Sequence, residues 1–221
     1  MNVDFVLGII GLFGGLLCAG ADVLLDLKGK GNKKYGPGGV MDSNWEKMAL
    51  WRFKASIWMA AVATPMYLMG CIALYRQIAQ NDAILAGVFG ICAVIGSCGT
   101  LFIHATLCYF PIINKTLSAQ QVAQDTIGQT ISTLYHAMLV PFLALWLLLV
   151  VGLSGIAAYA ILTGALALHW GFILLTPLCL VVAGVLLRLI NRRIFADLPG
   201  ICMPSIGLGM LGLIAAISAL G

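Results

Sequence analysis

The stretch Tyr135–Ile190, YHAMLVPFLALWLLLVVGLSGIAAYAILTGALALHWGFILLTPLCLVVAGVLLRLI, contains no Lys, Arg, Asp or Glu before Arg188. A helix needs about 20 mostly apolar residues to cross the hydrocarbon core of a bilayer, so this stretch is too long for one crossing and fits two. Two breaks are available: Gly152-Leu153-Ser154-Gly155, and the segment from Thr163-Gly164 to His169-Trp170. The second leaves a crossing of ordinary length over 169–190 and sets Trp170 at a membrane–water interface, where indole rings accumulate, so it is the break expected. Outward from this stretch, 3–27, 50–75, 83–110 and 201–221 meet the same length and polarity test. The expected fold is all-α: one transmembrane domain over 1–221, a polytopic bundle of six transmembrane helices near 3–27, 50–75, 83–110, 126–162, 169–190 and 201–221, with a basic loop at 28–49.

Composition agrees. Of 221 residues, 62% are hydrophobic and 9% charged, against about 25% charged in soluble domains, which excludes a water-soluble fold. A net charge of +4, broken up by apolar spans and without an aromatic–basic stripe, excludes nucleic acid as a partner. The seven Cys form no CxxC pair and are odd in number, so they read as reduced core residues and not as a disulfide framework or zinc knuckle.

Orientation follows from the basic residues. Lys28, Lys30, Lys33, Lys34, Lys47, Arg52 and Lys54, then Lys115, then Arg188, Arg192 and Arg193 lie at one set of helix ends, and Arg76 alone lies at the other. The positive-inside rule makes the first set cytoplasmic and puts both termini outside. Localisation in the plasma (inner) membrane as a multi-pass protein is the corresponding expectation. Ala19-Gly20-Ala21 has the form of a signal-peptidase site, but the basic residues follow the apolar run, which continues to Leu27; the run is expected to stay as the first span. Lys28–Glu46, with KGKGNKK and YGPGG, reads as a solvated loop drawn to anionic headgroups.

Polar groups inside spans carry the functional information, because each costs several kcal/mol unless paired or wet. Asp22 and Asp26 share a face of helix 1, and Thr100, His104 and Cys108 share a face of helix 3 with Tyr109 beside it. Asp125, Gln129, Ser132 and His136 form a stripe opening helix 4. Arg52 opens helix 2; Arg188, Asn191 and Arg192 end helix 5; Asp197 and Ser205 open helix 6. All fall at the cytoplasmic end, where a common polar pocket is expected. Its candidate catalytic residues are His104, Asp22 and His136; its candidate substrate-binding residues are Asp26, Arg52, Tyr109 and Arg188. His169 belongs to the opposite side, no metal-binding spacing such as HExxH occurs, and neither a metal nor another cofactor is expected.

Gly20-Ala21-Asp22-Val23-Leu24, Trp51-Arg52, Pro65-x-Tyr67-Leu68-x-Gly70, His104-Ala105, and Trp170 with Pro177 together resemble a bacterial family of six-helix integral membrane proteins known only as a domain of unknown function. The resemblance spans most of the chain. It implies the six-helix fold and the importance of Asp22, Arg52 and His104, and it supplies no reaction.

Three classes of function remain open. The first is an intramembrane enzyme acting on a lipid or amphiphile, of hydrolase or transferase type, with Asp22 or Asp26 orienting His104 as general base and Arg52 or Arg188 holding an anionic headgroup. No Ser or Cys stands in a nucleophile motif, so water is the expected nucleophile. The second is a protein that binds, senses or transports a hydrophobic small molecule. The third is a structural subunit of a membrane complex. The corresponding partners are membrane lipids, a hydrophobic small molecule, a second copy of the chain, or another membrane protein.

Overall fold

The computed structural model describes residues 2–191, 195 and 202–220; Arg192, Arg193, Asp197 and the start of the expected last span lie outside these. The fold is all-α apart from a two-stranded hairpin. Helix α1 covers Val3–Asp26, α2 Leu50–Ala79, α3 Ala83–Ala119 and α4 Gln124–Trp146. A π-helical segment, Leu147–Gly152, joins α4 to α5, Leu153–Leu162, without interrupting the rod. Then come a 3₁₀ turn at Trp170–Leu175, α6 at Pro177–Ile190 and α7 at Met203–Ser218. Among the described residues four helical rods, 3–26, 50–79, 83–119 and 124–162, are long and apolar enough to cross a membrane, and α6 and α7 are shorter apolar helices.

Local chemistry explains the boundaries. The Asn2 side chain accepts from the Asp4 amide at 2.9 Å and starts α1, and Asp82 does the same for α3 through Leu85 at 2.9 Å. The rod from α4 ends at Thr163, followed by Gly164 with φ of 79°, a left-handed position that suits glycine. The stretch 169–190 is not one helix. Thr176 is extended, with ψ of 154°, as the residue before a proline tends to be, and Pro177 then restarts the chain as α6. Helix α3 runs nine residues past the apolar stretch that ends at Phe110, through Pro111. The extension is held by Lys115, whose Nζ donates to the carbonyls of Trp45 at 3.3 Å and Glu46 at 2.7 Å.

Helix α1 packs on α2 and α7, and α2 packs in turn on α3. Three glycines lie at one close approach of α1, α2 and α7, and Gly15 of α1 meets Gly209 of α7 more closely still. A Cβ on Gly11 would lie 2.5 Å from Gly70 Cα, one on Gly70 2.8 Å from Gly212 Cα, and one on Gly212 2.5 Å from Leu12 N. Backbones meet directly there, as small residues allow between helices in lipid. Helices α1 and α7 are antiparallel: Asn2 Nδ2 donates to the Ala219 carbonyl at 2.9 Å at one end, and Ser205 reaches Asp22 at the other. At the Asn2 end, Arg76 Nε donates to Asp4 Oδ1 at 2.7 Å.

Two apolar cores result. One, at the Arg76 end, gathers Tyr67, Leu74, Phe89, Leu153, Leu211 and Ile214. The other, at the end bearing the basic loop, gathers Leu25, Trp45, Phe53, Phe110, Ile127 and Ile131. The loop supplies Met41 and Trp45 to that core and carries the hairpin Lys34–Tyr35 with Met41–Asp42. The expectation of a merely solvated loop is corrected in part: Met41 and Trp45 are buried and Tyr35 and Val40 half-buried, while Lys30, Lys33 and Lys34 stay exposed.

The glycine contacts give a paired expectation for thermal unfolding in detergent. Gly212→Val forces a side chain into the α1 backbone and should cost at least about 3 kcal/mol. Gly155→Ala meets nothing within 4 Å and should be neutral or stabilising by up to about 1 kcal/mol.

Candidate functional site

Between the two cores lies a layer of polar side chains from four helices. Asp22 stands one turn before the end of α1, and its Oδ1 is 3.2 Å from His104 Nδ1 on α3. The other ring nitrogen, Nε2, is 2.7 Å from Ser56 Oγ on α2. Ser56 Oγ also lies 2.7 Å from the Ala21 carbonyl, and the Cys108 thiol is 3.5 Å from Ser56 Oγ. On the far side of Asp22, Ser205 of α7 donates to Oδ2 at 2.6 Å, with Cys18 Sγ 3.4 Å from the same hydroxyl. His104 is 5% exposed and Ser56 fully buried.

The proton inventory permits two states. With a neutral imidazole, Nδ1–H donates to Asp22 and Nε2 accepts from the Ser56 hydroxyl. With an imidazolium, both nitrogens donate and Ser56 gives its proton to the Ala21 carbonyl. In the first state carboxylate, imidazole and hydroxyl are joined in series by hydrogen bonds, a carboxylate–imidazole–hydroxyl relay.

The other sequence candidates are dispersed. Arg52 Nη2 donates to the carbonyls of Leu27 at 3.0 Å and Val23 at 3.3 Å, satisfying the end of α1 and so fixing where Asp22 and Asp26 stand. Asp26 pairs with Lys28 at 2.9 Å. His136 is exposed on α4, its Nδ1 donating to the Ser132 carbonyl at 2.7 Å. Asp125 and Gln129 on the same stripe are exposed too. Tyr109 is half-exposed beside a groove between α3 and α4. Arg188 is exposed in the last turn of α6 and bonds to none of the relay residues. Thus Asp22 and His104 are brought together, and His136, Tyr109 and Arg188 are not joined to them. Ser56 and Ser205 are the partners that sequence reasoning missed as part of a relay. The one available signal was Ser56 lying one turn after Arg52 on the helix that faces α1.

One turn toward the basic loop, the chain encloses a cleft of about 170 Å³. Leu25 and Leu107, each three residues beyond a relay member, line it together with Asp26, Lys28, Lys34, Asp42 and Tyr135. Asp42 is nearly inaccessible, and its Oδ2 is 2.9 Å from Lys28 Nζ and 3.0 Å from Lys34 Nζ. Asn32 Nδ2 donates to Oδ1 at 2.6 Å. Burial pushes the Asp42 carboxyl up, but the Asn32 and Lys28 hydrogen bonds and the two ammonium charges outweigh it, leaving it below its ordinary value of 3.8. Burial likewise pushes Lys28 down, and Asp26 with Asp42 more than offset this, holding it above 10.5. Asn44 closes the turn by donating to the Lys28 carbonyl at 2.9 Å and the Lys30 carbonyl at 3.2 Å.

Among the described residues no group of three or more His, Cys, Asp and Glu could hold a metal ion. Fold and site define an all-α protein with four helices able to cross a membrane and an Asp–His–Ser relay buried among them. The chain belongs to a family of unknown function, DUF6796, whose model matches residues 1–220. No curated protein and no solved structure matches it.

The Asp42 network fixes a pH dependence. A depressed carboxyl stabilises the loop above the ordinary Asp range and loses that contribution as pH falls through its folded value. A raised Lys28 contributes below 10.5 and fades only at higher pH. Hydrogen exchange over 28–48, corrected for the intrinsic pH dependence, should show protection across neutral pH that weakens below the ordinary Asp range. Asp42→Ala should remove it at neutral pH, at a cost of about 3 kcal/mol, because Lys28 is left with Asp26 alone.

Proposed function

We propose that the chain is a multi-pass protein of the plasma membrane and that the Asp22–His104–Ser56 relay is the centre of an intramembrane enzyme acting on a lipid or amphiphile. For the expected six passes, the eleven-to-one bias of Lys and Arg supports both termini outside and the basic loop in the cytoplasm. The observation that carries the enzymatic reading is the imidazole of His104 held between a carboxylate and a hydroxyl, at 3.2 Å and 2.7 Å. Buried ionisable groups of this kind within spans are functional by default.

Ser56 replaces water as the first nucleophile in this reading. Its Oγ forms a bond to an ester carbonyl carbon while its proton passes to His104 Nε2. The tetrahedral intermediate collapses, the alkoxide leaves, and the same proton returns to it from Nε2. Water, or a second alcohol in a transferase, then cleaves the acyl-serine by the same proton path. Asp22 holds the tautomer in which Nε2 is free to accept and stabilises the imidazolium while it exists. Ser205 holds Asp22 by occupying its other oxygen.

A second reading is favoured by the full burial of Ser56, which lines neither the charged cleft nor the groove between α3 and α4. In it the relay ties α1, α2, α3 and α7 together within a protein that binds or senses a hydrophobic small molecule, or within a subunit of a membrane complex, without turnover.

A lipophilic fluorophosphonate, which reacts with serines activated by a general base, separates the two. In native membranes the wild type should be labelled at Ser56, Ser56→Ala should not be labelled, and His104→Gln should react 10²- to 10⁴-fold more slowly, roughly the range for general-base removal. Wild-type protein left unlabelled at Ser56 would overturn the enzymatic reading.

A further inference from the structure

The polar cleft and the groove between α3 and α4 share one wall, Phe110. The groove holds about 460 Å³ and is lined by Phe102, Thr106, Tyr109, Leu134, Met138 and Pro141 among others. It follows α3 from Phe102 to Ile113, roughly 17 Å of helix at 1.5 Å per residue, and its surface is open and almost wholly apolar. The cleft is the opposite: small, floored by Leu25 and Leu107, and ringed by Asp26, Lys28, Lys34 and Asp42. Phe110 stands edge-on to Tyr135, ring centroids 6.3 Å apart at 61°, so two aromatic rings divide an apolar channel from a charged one.

We infer that the two cavities together bind one zwitterionic phospholipid with a compact ammonium headgroup of the phosphoethanolamine type, its acyl chain in the α3/α4 groove and its headgroup in the cleft. The assignment of this lipid as substrate rests on the enzymatic reading above; its binding does not. Direction fits: the charged cleft lies at the loop end of the groove, and the acyl chain would run from there toward Pro141.

The headgroup charge follows from the ion pairs already in place. The formal charges of Asp26, Asp42, Lys28 and Lys34 cancel. Lys28 bridges both carboxylates at 2.9 Å, and Lys34 shares Asp42 at 3.0 Å. An anionic headgroup that drew a lysine away would leave a carboxylate short of a partner, and a cation would strand a lysine. A zwitterion does neither, since it brings one charge of each sign. Lys34 is 58% exposed and Asp26 26% exposed at the side chain; these are the two ring members with room for a phosphate and an ammonium. The volume of about 170 Å³ favours a primary ammonium over a bulkier quaternary one. With the headgroup there, the ester linkages lie beside Leu107 and Phe110, about one turn from His104.

Native mass spectrometry of the full chain, released from nanodiscs of equal parts phosphatidylethanolamine and phosphatidylglycerol, tests the inference. Wild type should retain phosphatidylethanolamine at least 10-fold over phosphatidylglycerol. Ala137→Trp, which fills the groove from an exposed position, should retain neither. Asp26→Asn should keep lipid but lose the preference. Equal retention of the two lipids by wild type, or undiminished retention by Ala137→Trp, would overturn the inference. Ser56→Ala should bind as wild type does. Selective binding by a protein whose Ser56 resists fluorophosphonate removes the enzyme and leaves the lipid site, whereas a labelled Ser56 without lipid selection does the reverse.

Discussion

The contact between Asp22 and His104 constrains everything around it. A carboxylate and an imidazole between two apolar cores, 15% and 5% exposed at the side chain, have little access to water, so their remaining lone pairs and protons are met by partners in the protein. Asp22 finds Ser205 on α7, and His104 finds Ser56 on α2. The pair itself joins α1 to α3. Four helices are thereby fixed relative to one another at one depth, by bonds that lose their meaning if any helix rotates or slides by a residue.

Such a layer demands close backbones, because serine and aspartate side chains are short. Gly15 and Gly209, which meet backbone to backbone beside Ser205, supply that closeness between α1 and α7, and Gly11, Gly70 and Gly212 let α1, α2 and α7 touch without side chains between them further along the bundle. The polar layer and the glycine contacts therefore belong together: glycine sets the spacing, and the hydrogen bonds set the register. Arg52 adds a third element by satisfying the Val23 and Leu27 carbonyls, so the last turn of α1 keeps the geometry on which both Asp22 and Asp26 rely.

The apolar helices were legible from composition and length, since hydrocarbon leaves few other solutions for a backbone that must satisfy its own hydrogen bonds. Asp22 and His104 were legible for the same reason: ionisable groups in apolar runs stand out. Ser56 did not stand out, because serine in an apolar helix is more often a small packing residue, and only its distance to His104 distinguishes it. The stripe Asp125, Gln129, Ser132, His136 misled because helical periodicity finds a face without saying where it points; here most of it points outward. The loop concealed its fold, since two buried apolar residues, Met41 and Trp45, among glycines and lysines give no periodic signal. Its order depends on Asp42, Asn44 and Lys115 meeting specific partners, and sequence spacing does not encode that. The split of 169–190 at Thr176–Pro177 was visible as a proline, but the same is true of Pro65, Pro111 and Pro141, through which helices continue.

The hydroxyl of Ser56 has one proton and two acceptors within 2.7 Å, the Ala21 carbonyl and His104 Nε2. Which one receives it is decided by the proton on His104, and which proton His104 holds is decided by Asp22. The relay therefore has two internally complete states, both satisfied without water. Passing between them takes one proton and one rotation of a hydroxyl, with no repacking of the glycine-spaced helices. A site that changes protonation state without moving its scaffold suits acid–base chemistry in a dry interior, where every displaced polar group would otherwise be stranded. Access is the remaining requirement. In the enzymatic reading proposed above, Leu25 and Leu107, which line the charged cleft one turn from Asp22 and His104, are the side chains that would have to give way to admit a substrate to Ser56.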